Sequence, residues 1–322
     1  MQAIVQANGE VRDFGGQMQY LNRSRRWNWG VALSHVPLSA GFASAERVPI
    51  STGGQTFDGI AYTQVMMRQY YQNAQLVSQY PLSTTRRLEF SAGAQRIAFG
   101  QQVDSVFAIG DAVVRESRNG LPSPSALTFA MVSAAFVGDY SIFGFTSPIA
   151  GGRYRFEVSP GIGSINYTTA LVDYRRYLLA RPFTFAFRGM HLGRYGSGAE
   201  SDRLTPLFVG QPNLVRGYDP NSFDVSECSA ISANDDCPQL SRLIGSRLAI
   251  VNAEVRIPLF GTRQFGIIPF SILPIEVAPF IDAGLAWSAS ENPSLQFAQR
   301  STERVPVVSA GVSGRANLFG FA

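Results

Sequence analysis

The chain has 322 residues, of which 16% are charged and 12% aromatic, with 31 glycines and 18 prolines. Soluble domains carry roughly 25% charged residues, so this composition is typical of a chain with one face in lipid and many tight turns. The net charge of +4 is mild and the basic residues are scattered. This excludes the concentrated basic face that nucleic-acid binding requires.

No stretch reaches the roughly 18 consecutive apolar residues of a membrane-spanning helix. The nearest one, 267–281, is interrupted by Ser271, Glu276 and three prolines. A helical membrane protein is therefore excluded. A transmembrane β-barrel is not, because its strands cross the bilayer in about 9–11 residues of alternating character.

Period-two alternation is the dominant pattern. Phe183, Phe185 and Phe187, for example, alternate with Thr184, Ala186 and Arg188, and similar runs occur at 27–33, 87–95 and 153–159. Strict alternation indicates strands with one apolar and one polar face. The sequence predicts about twelve strands and no comparable helix. In chain order they lie near 2–9, 13–22, 27–38, 60–79, 86–99, 125–138, 153–161, 166–178, 183–195, 247–259, 275–287 and 307–317.

The predicted connections alternate in length. Short links at 22–26, 81–85, 148–152 and 179–182 are interleaved with longer or more polar links at 39–59, 115–124, 196–245 and 288–306. Short turns at one end and long loops at the other are typical of an outer-membrane barrel. We expect one barrel domain over 1–322. A soluble β-sandwich is less favoured because aromatic residues cluster near strand ends, as in interfacial girdles: Tyr20, Trp27, Trp29, Tyr62, Tyr167, Tyr195 and Trp287.

The two cysteines, Cys228 and Cys237, lie in a polar segment rich in Ser, Asn and Asp. Two cysteines at this spacing do not form a zinc site, which usually has four ligands. They predict a disulfide that clips a loop, rather than two free thiols, and hence an oxidising compartment. The N-terminus has no signal-peptide pattern, so we expect that the signal was removed or that the chain is a fragment, and favour the fragment.

The segment 207–223 contains Val215-Arg216-Gly217-Tyr218, which resembles the VRGY/F signature of the BamA-type superfamily. This superfamily includes outer-membrane assembly factors, TamA-like proteins and two-partner-secretion transporters. Three further matches follow in the family's order. They are NAEVRIPL at 252–259, the F-x-D-x-G pattern from Phe280 through Asp282 to Gly284, and GVSGRANLFG at 311–320.

The resemblance implies a sixteen-strand barrel in the bacterial outer membrane, of which this chain holds about twelve strands and is incomplete at both ends. It implies a role in the insertion or passage of polypeptides. The expected partners are membrane lipid, unfolded or β-strand polypeptide substrates and periplasmic accessory proteins. The alternative is a passive channel or a surface-antigen barrel that anchors another domain.

Strand parity places two carboxylates on one polar face. Glu254 shares its face with Asn252 and Arg256, and Asp282 shares its face with Phe280 and Gly284. The resemblance implies that the loop 196–245 folds into the barrel and that Arg216 pairs with Glu254 and Asp282. In that arrangement Gly217 would let the loop backbone turn close to the wall. Tyr218 would provide a rigid packing surface with a polar tip.

No catalytic activity is expected. The two histidines, His35 and His191, both have the parity of the apolar face, so neither would reach a nucleophile on the polar face. No hydrolase, zinc-protease or nucleotide-binding motif occurs in a suitable context. Paired carboxylates could suggest glycosidase chemistry, but pairing with Arg216 accounts for them. We therefore expect no metal and no cofactor.

Overall fold

A computed structural model describes residues 2–7, 14–52, 54–110, 112–219, 238–270, 272–296 and 304–318. Within these ranges the chain is all-β, with one four-residue helix, α1 (Pro238–Ser241). No described helix has the length and apolar character needed to cross a membrane. The all-β class and the large antiparallel sheet that the sequence predicts are confirmed. The predicted disulfide of Cys228 and Cys237 falls outside the described residues.

The chain divides into two compact units. The first comprises Met1–Ser78, Ser91–Val132 and Ile162–Ser164. Its strands follow one another in the sheet order β1-β2-β3-β4-β5-β7, and β6 pairs with β5. Their bounds are β1 (Gln2–Ala7), β2 (Phe14–Asn22), β3 (Asn28–Thr52), β4 (Gln55–Pro81), β5 (Arg86–Ile109), β6 (Ala112–Leu121) and β7 (Leu127–Asp139).

The second unit comprises Gln79–Phe90, Ser133–Gly161 and Ile165–Ala322. Its main strands follow the order β7-β9-β10-β11-β14-β16-β17. Their bounds are β9 (Pro148–Gly163), β10 (Tyr167–Ala180), β11 (Phe183–Tyr195), β14 (Arg247–Gly261), β16 (Ile275–Trp287) and β17 (Val307–Ala316). Four two-residue strands lie in the connections: β8 (Ile142–Phe143), β12 (Leu207–Phe208), β13 (Ile244–Gly245) and β15 (Ile268–Pro269).

Each of the twelve predicted strands coincides with a strand of the structure, and the predicted parity holds where one face is apolar. On β11 the three phenylalanines are exposed, whereas Thr184 and Ala186 are buried. Val251 on β14 and Ile281 on β16 are exposed on the same side. We call this side the apolar face, and the side that carries Glu254 and Asp282 the polar face.

Two predicted loops are wrong over most of their length. The predicted loop 39–59 belongs to β3 and β4, which meet at a tight turn where Gly54 has a φ of 81°. The predicted loop 115–124 is largely β6. Residues 38–47 of β3 are exposed at every position, and nearly all of β6 is exposed. A strand with solvent on both faces needs no apolar face, so the period-two signal fades there.

The predicted turn at 148–152 is also displaced. Those residues begin β9, and the connection from β7 lies earlier, at 140–147. Gly151 stands inside the strand with a φ of 85°. A Cβ there would lie 2.1 Å from the carbonyl oxygen of Tyr140, so glycine permits the connection to approach the strand.

The exposed length of β3 predicts a labelling pattern. In a variant without Cys228 and Cys237, we expect cysteines at Ala43 and Ser44, which point to opposite faces, to react equally with a membrane-impermeant maleimide in bilayers. A cysteine at Leu33 lies on the apolar face, closer to the turn between β2 and β3, and should stay unlabelled because lipid covers it. Protection of either Ala43→Cys or Ser44→Cys would contradict exposure of both faces.

Candidate functional site

The candidate site is built on the central part of β14 and β16. In their antiparallel register Asn252 lies opposite Asp282, and Glu254 lies opposite Phe280. The side chain of Asp282 is fully buried and that of Glu254 is 8% exposed. A buried carboxylate is costly unless it is paired and hydrogen-bonded. Both acids therefore need a cationic or hydrogen-bonding partner, and β16 carries no basic residue that could pair with Asp282.

Arg216 provides that partner from the loop between β11 and β14. Its Nε and Nη2 donate to the two carboxylate oxygens of Asp282, each over 2.7 Å, and its backbone N–H donates to Asp282 over 3.0 Å. Its Nη1 donates to Glu254 over 2.6 Å. The structure thus brings together the three charges that the sequence placed in one site. Guanidinium geometry suits this pattern because it presents several donors in a rigid fork.

Phe280 completes the setting of the guanidinium. The central carbon of Arg216 lies 3.7 Å from the centre of the Phe280 ring, which is within the range of a cation–π contact. On the neighbouring strand β17, Gly311 stands opposite Phe280, and a Cβ there would lie 3.0 Å from the ring. The Phe280 ring therefore packs against the backbone of Gly311. The guanidinium of Arg216 covers one face of the ring, and the N–H groups of the guanidinium bond to Glu254 and Asp282.

The backbone that presents Arg216 is held at several further points. The carbonyl oxygen of Gln211 accepts hydrogen bonds from the N–H groups of Leu214 and Val215, each over 2.9 Å. Asn252 donates to the carbonyl oxygen of Leu214 over 2.9 Å. Arg188 on β11 donates to the carbonyl oxygen of Asn213 over 3.0 Å. We call the residues 209–218 the anchored segment.

Apolar contacts fix the same segment beside the charged site. Val209, Leu214 and Val215 are buried in one cluster with polar-face residues of three strands: Leu248 and Ile250 of β14, Ala286 of β16 and Val307 of β17. Tyr218 packs against this cluster. Full burial of one such side chain contributes about 1.5–3 kcal/mol. The apolar contacts therefore stabilise the docked segment, and the ionic contacts of Arg216 determine where on the polar face it docks.

Two glycines make the close approach possible. At Gly284 of β16, a Cβ would lie 2.6 Å from a methyl carbon of Val209 and 2.7 Å from one of Val215, so any side chain there would displace the anchored segment. Gly217 has a φ of 86°, and a Cβ there would lie 3.0 Å from the hydroxyl oxygen of Ser309. The close approach at Gly217 matches what the family resemblance implied for it, whereas the contact at Gly284 was not predicted.

The two carboxylates differ in how many cations they contact. Glu254 bonds to Arg216, to Arg256 over 2.6 Å and to Arg315 over 3.0 Å. Within the described ranges, Arg216 is the one cation in ion-pair contact with Asp282. Departure of the anchored segment would thus leave Glu254 compensated and Asp282 uncompensated. Asp282 is the acid that depends on the loop.

Two loop residues have shifted acid–base properties. Hydrogen bonds to Asp282 raise the pKa of the Arg216 guanidinium above its usual value, so it remains charged at every accessible pH. Burial raises the pKa of the Tyr218 hydroxyl, which therefore stays protonated near neutrality. Neither group therefore gains or loses a proton near pH 7.

Sequence reasoning missed several residues of the site. Arg188, Arg315 and, apart from Val215, the buried residues of the apolar cluster were not predicted. The run from Leu248 to Val251 is apolar at every position. That break in alternation could have indicated a stretch of β14 whose polar face is covered by another segment of the chain. For the ion pairs no comparable signal exists.

Neither histidine contacts the residues of this site that the structure describes. His191 Nε2 lies 2.6 Å from the Tyr195 hydroxyl, and its ring is 5.8 Å from that of Trp287. His35 stacks on Tyr70, with ring centres 5.9 Å apart, and lies 3.3 Å from the amide nitrogen of Gln72. These positions fit the predicted place of His191 among aromatic residues of the apolar face.

No protein-family model matches the chain. No curated protein matches it either. Among solved structures, it is similar to the crystal structure of BamA from Haemophilus ducreyi lacking POTRA domains 1-3, with a TM-score of 0.47 and 9% sequence identity. The similarity covers 97% of this chain and 62% of that chain, so this chain spans less than two thirds of the length of that protein.

Shortening the guanidinium to an ammonium tests the ionic contacts. We expect Arg216→Lys to weaken docking of the anchored segment by about 1.5–3 kcal/mol, because one ammonium cannot reproduce hydrogen bonds to both acids. Hydrogen exchange of the amides of the anchored segment measures this. The matched control is Arg118→Lys, since Arg118 is 65% exposed in its pair with Asp104. Such a pair contributes about 0–1 kcal/mol. Equal exchange rates in both variants would refute the role of Arg216.

A pair of glycine substitutions tests the packing. Gly284→Ala should displace the anchored segment and raise the protease sensitivity of the loop, because the new methyl group overlaps Val209 and Val215. Gly314→Ala on β17 should leave the loop protected, since a Cβ there has no neighbouring atom within 4 Å. If Gly284→Ala were as resistant as Gly314→Ala, the close approach would be wrong.

Proposed function

We propose that this chain is the barrel of a bacterial outer-membrane protein that assists the insertion or translocation of polypeptides. In this proposal the loop 196–245 lies in the barrel interior, held by Arg216 to Glu254 and Asp282. The observation that carries it is the docking of the anchored segment on the polar face through one arginine shared by two buried acids. A barrel that serves only as an open pore has no need of such a contact.

Location in the membrane is supported by the apolar face. Large apolar side chains are exposed along it on consecutive strands, at Phe156, Phe185, Val251 and Ile281 among others. Contiguous exposed apolar surface is rare on soluble monomers and marks membrane or protein contacts. Exposed aromatic residues near the β2–β3 turn, Tyr20, Trp27 and Trp29, suit the interface between lipid and water.

Polypeptide passage is supported by the chemistry of the polar face. Its charges occur in local ion pairs: Arg155 bonds to Glu89 and Glu157, and Asp173 bonds to Arg175 and Arg188. Paired charges give a hydrated wall with little net attraction for either sign of charge. Such a wall suits a chain of mixed sequence that must enter and leave. Because arginines occupy the acids, we also propose that the barrel has no enzymatic activity.

The function is tested with the full-length protein in liposomes to which a urea-denatured outer-membrane barrel is added. We expect wild-type protein to increase the fraction of substrate that folds, measured by heat-modifiable gel migration, relative to empty liposomes. Arg216→Lys should reduce this increase by at least tenfold, because the expected loss of about 1.5–3 kcal/mol in docking exceeds the roughly 1.4 kcal/mol that corresponds to a factor of ten. Arg118→Lys should behave as wild type.

Planar-bilayer conductance of the same proteins separates the alternatives. Wild type should be mostly closed, and Arg216→Lys should open more often because the loop is loosened. Large steady pores in the wild type, without faster substrate folding, would favour the passive channel. A closed barrel that leaves substrate folding unchanged would favour a surface-antigen barrel that anchors another domain. Either result would overturn the proposed function.

A further inference from the structure

The connection between β7 and β9 makes a second contact with the polar face. Its residues Thr146 and Ser147 donate hydroxyl hydrogen bonds to Glu276 of β16, over 3.1 Å from Thr146 and over 2.8 and 3.0 Å from Ser147. Ser147 is buried, and the side chain of Glu276 is 4% exposed. We call the residues 140–147 the polar-face turn.

This contact does not run along the sheet. Strands β10, β11 and β14 lie between β9 and β16 in the sheet order, so the turn reaches Glu276 over the polar face. Two more bonds hold it there: Arg256 donates to the carbonyl oxygen of Pro148, and Asn317 donates to that of Phe145. The buried carboxylate of Glu276 therefore receives part of its hydrogen bonding from a connecting segment.

Arg315 of β17 joins the two contacts. Its Nη1 donates to Glu276 over 2.8 Å, and its Nη2 donates to both carboxylate oxygens of Glu254 over 3.0 Å. Glu254 in turn accepts the 2.6 Å hydrogen bond from Arg216. A continuous chain of charged hydrogen bonds thus runs from Ser147 through Arg315 to the anchored segment.

We propose that Arg315 couples the polar-face turn to the anchored segment, so that loosening one loosens the other. The two segments belong to opposite ends of the strands: the turn follows the end of β7, and the anchored segment lies in the loop at the far end of β11. A substrate or partner that moves the turn therefore changes the docking of the loop. The coupling goes beyond the proposed function and holds whatever passes through the barrel.

The direction of the coupling follows from the geometry. With the turn docked, the hydroxyl groups of Thr146 and Ser147 donate to Glu276. Arg315 then uses only its Nη1 for Glu276, and its Nη2 bonds to both oxygens of Glu254, which orients that carboxylate towards Arg216. Without those hydroxyls, the buried Glu276 carboxylate draws Arg315 to itself, since a buried charge must be compensated. Glu254 then loses its orienting contact, and the bond to Arg216 weakens.

Hydrogen exchange of the full-length protein in bilayers tests this coupling, read separately on peptides from the polar-face turn and from the anchored segment. We expect Ser147→Ala to speed exchange in both, with a change of about fivefold or more in the anchored segment, the lower end of typical couplings. Because coupling is reciprocal, Asp282→Asn should also speed exchange in the turn. In an Arg315→Gln background, Ser147→Ala should change the turn alone.

The matched control is Ser141→Ala, which removes a hydroxyl of the same turn that donates to Asp139 and does not contact Glu276. It should leave the anchored segment unchanged. Arg315→Lys, whose single ammonium cannot reproduce both sets of bonds, serves as a second background if Arg315→Gln lacks the heat-modifiable migration of the folded barrel. The proposal would be overturned if Ser147→Ala left hydrogen exchange in the anchored segment unchanged, or if it sped that exchange equally in the variant without Arg315.

Discussion

A fully buried carboxylate, that of Asp282, is the constraint on which the site depends. Its strand offers no counter-charge, and an uncompensated buried ion costs several kcal/mol. Arg216 meets this requirement with three hydrogen bonds, one of them from its own backbone N–H. Because the backbone takes part, the contact fixes the path of the loop as well as the position of one side chain. Gly217 and Gly284 then follow as positions where a side chain would prevent that path.

The face on which each side chain lies was predictable from the sequence wherever one face of the strand is polar and the other is apolar. It located Glu254, Asp282 and the exposed phenylalanines of β11 from the sequence alone. It failed in two opposite situations. Along 38–47 of β3 both faces are exposed, so neither needs to be apolar. Around Leu248 and Ile250 the polar face is itself apolar, because the anchored segment packs on it, while Val251 stays exposed on the apolar face.

The ion-pair partners were less predictable, for a physical reason. Arg188 and Arg315 lie on strands whose register depends on long-range pairing, and alternation gives the face of a side chain but not its neighbours. The β7–β9 connection shows the same limit. The short link predicted at 148–152 contains Gly151 and Gly152 and is the start of β9. In the structure they permit close contacts, since a Cβ at Gly152 would lie 2.6 Å from the carbonyl oxygen of Arg175 on the adjacent strand.

The unequal compensation of the two acids bears on how the loop could move. Glu254 retains Arg256 and Arg315 if the anchored segment leaves, whereas Asp282 loses its one described cation. Release therefore exposes one uncompensated charge rather than two, and that charge lies where arriving water or a donor from a passing chain could solvate it. The apolar cluster around Val215 opposes release in addition. Under the proposed function, docking of the loop would be favoured while no substrate is bound, and the ionic cost of release would fall when a substrate brings hydrogen-bond donors to Asp282. A loop with these properties would respond to substrate as the proposed function requires.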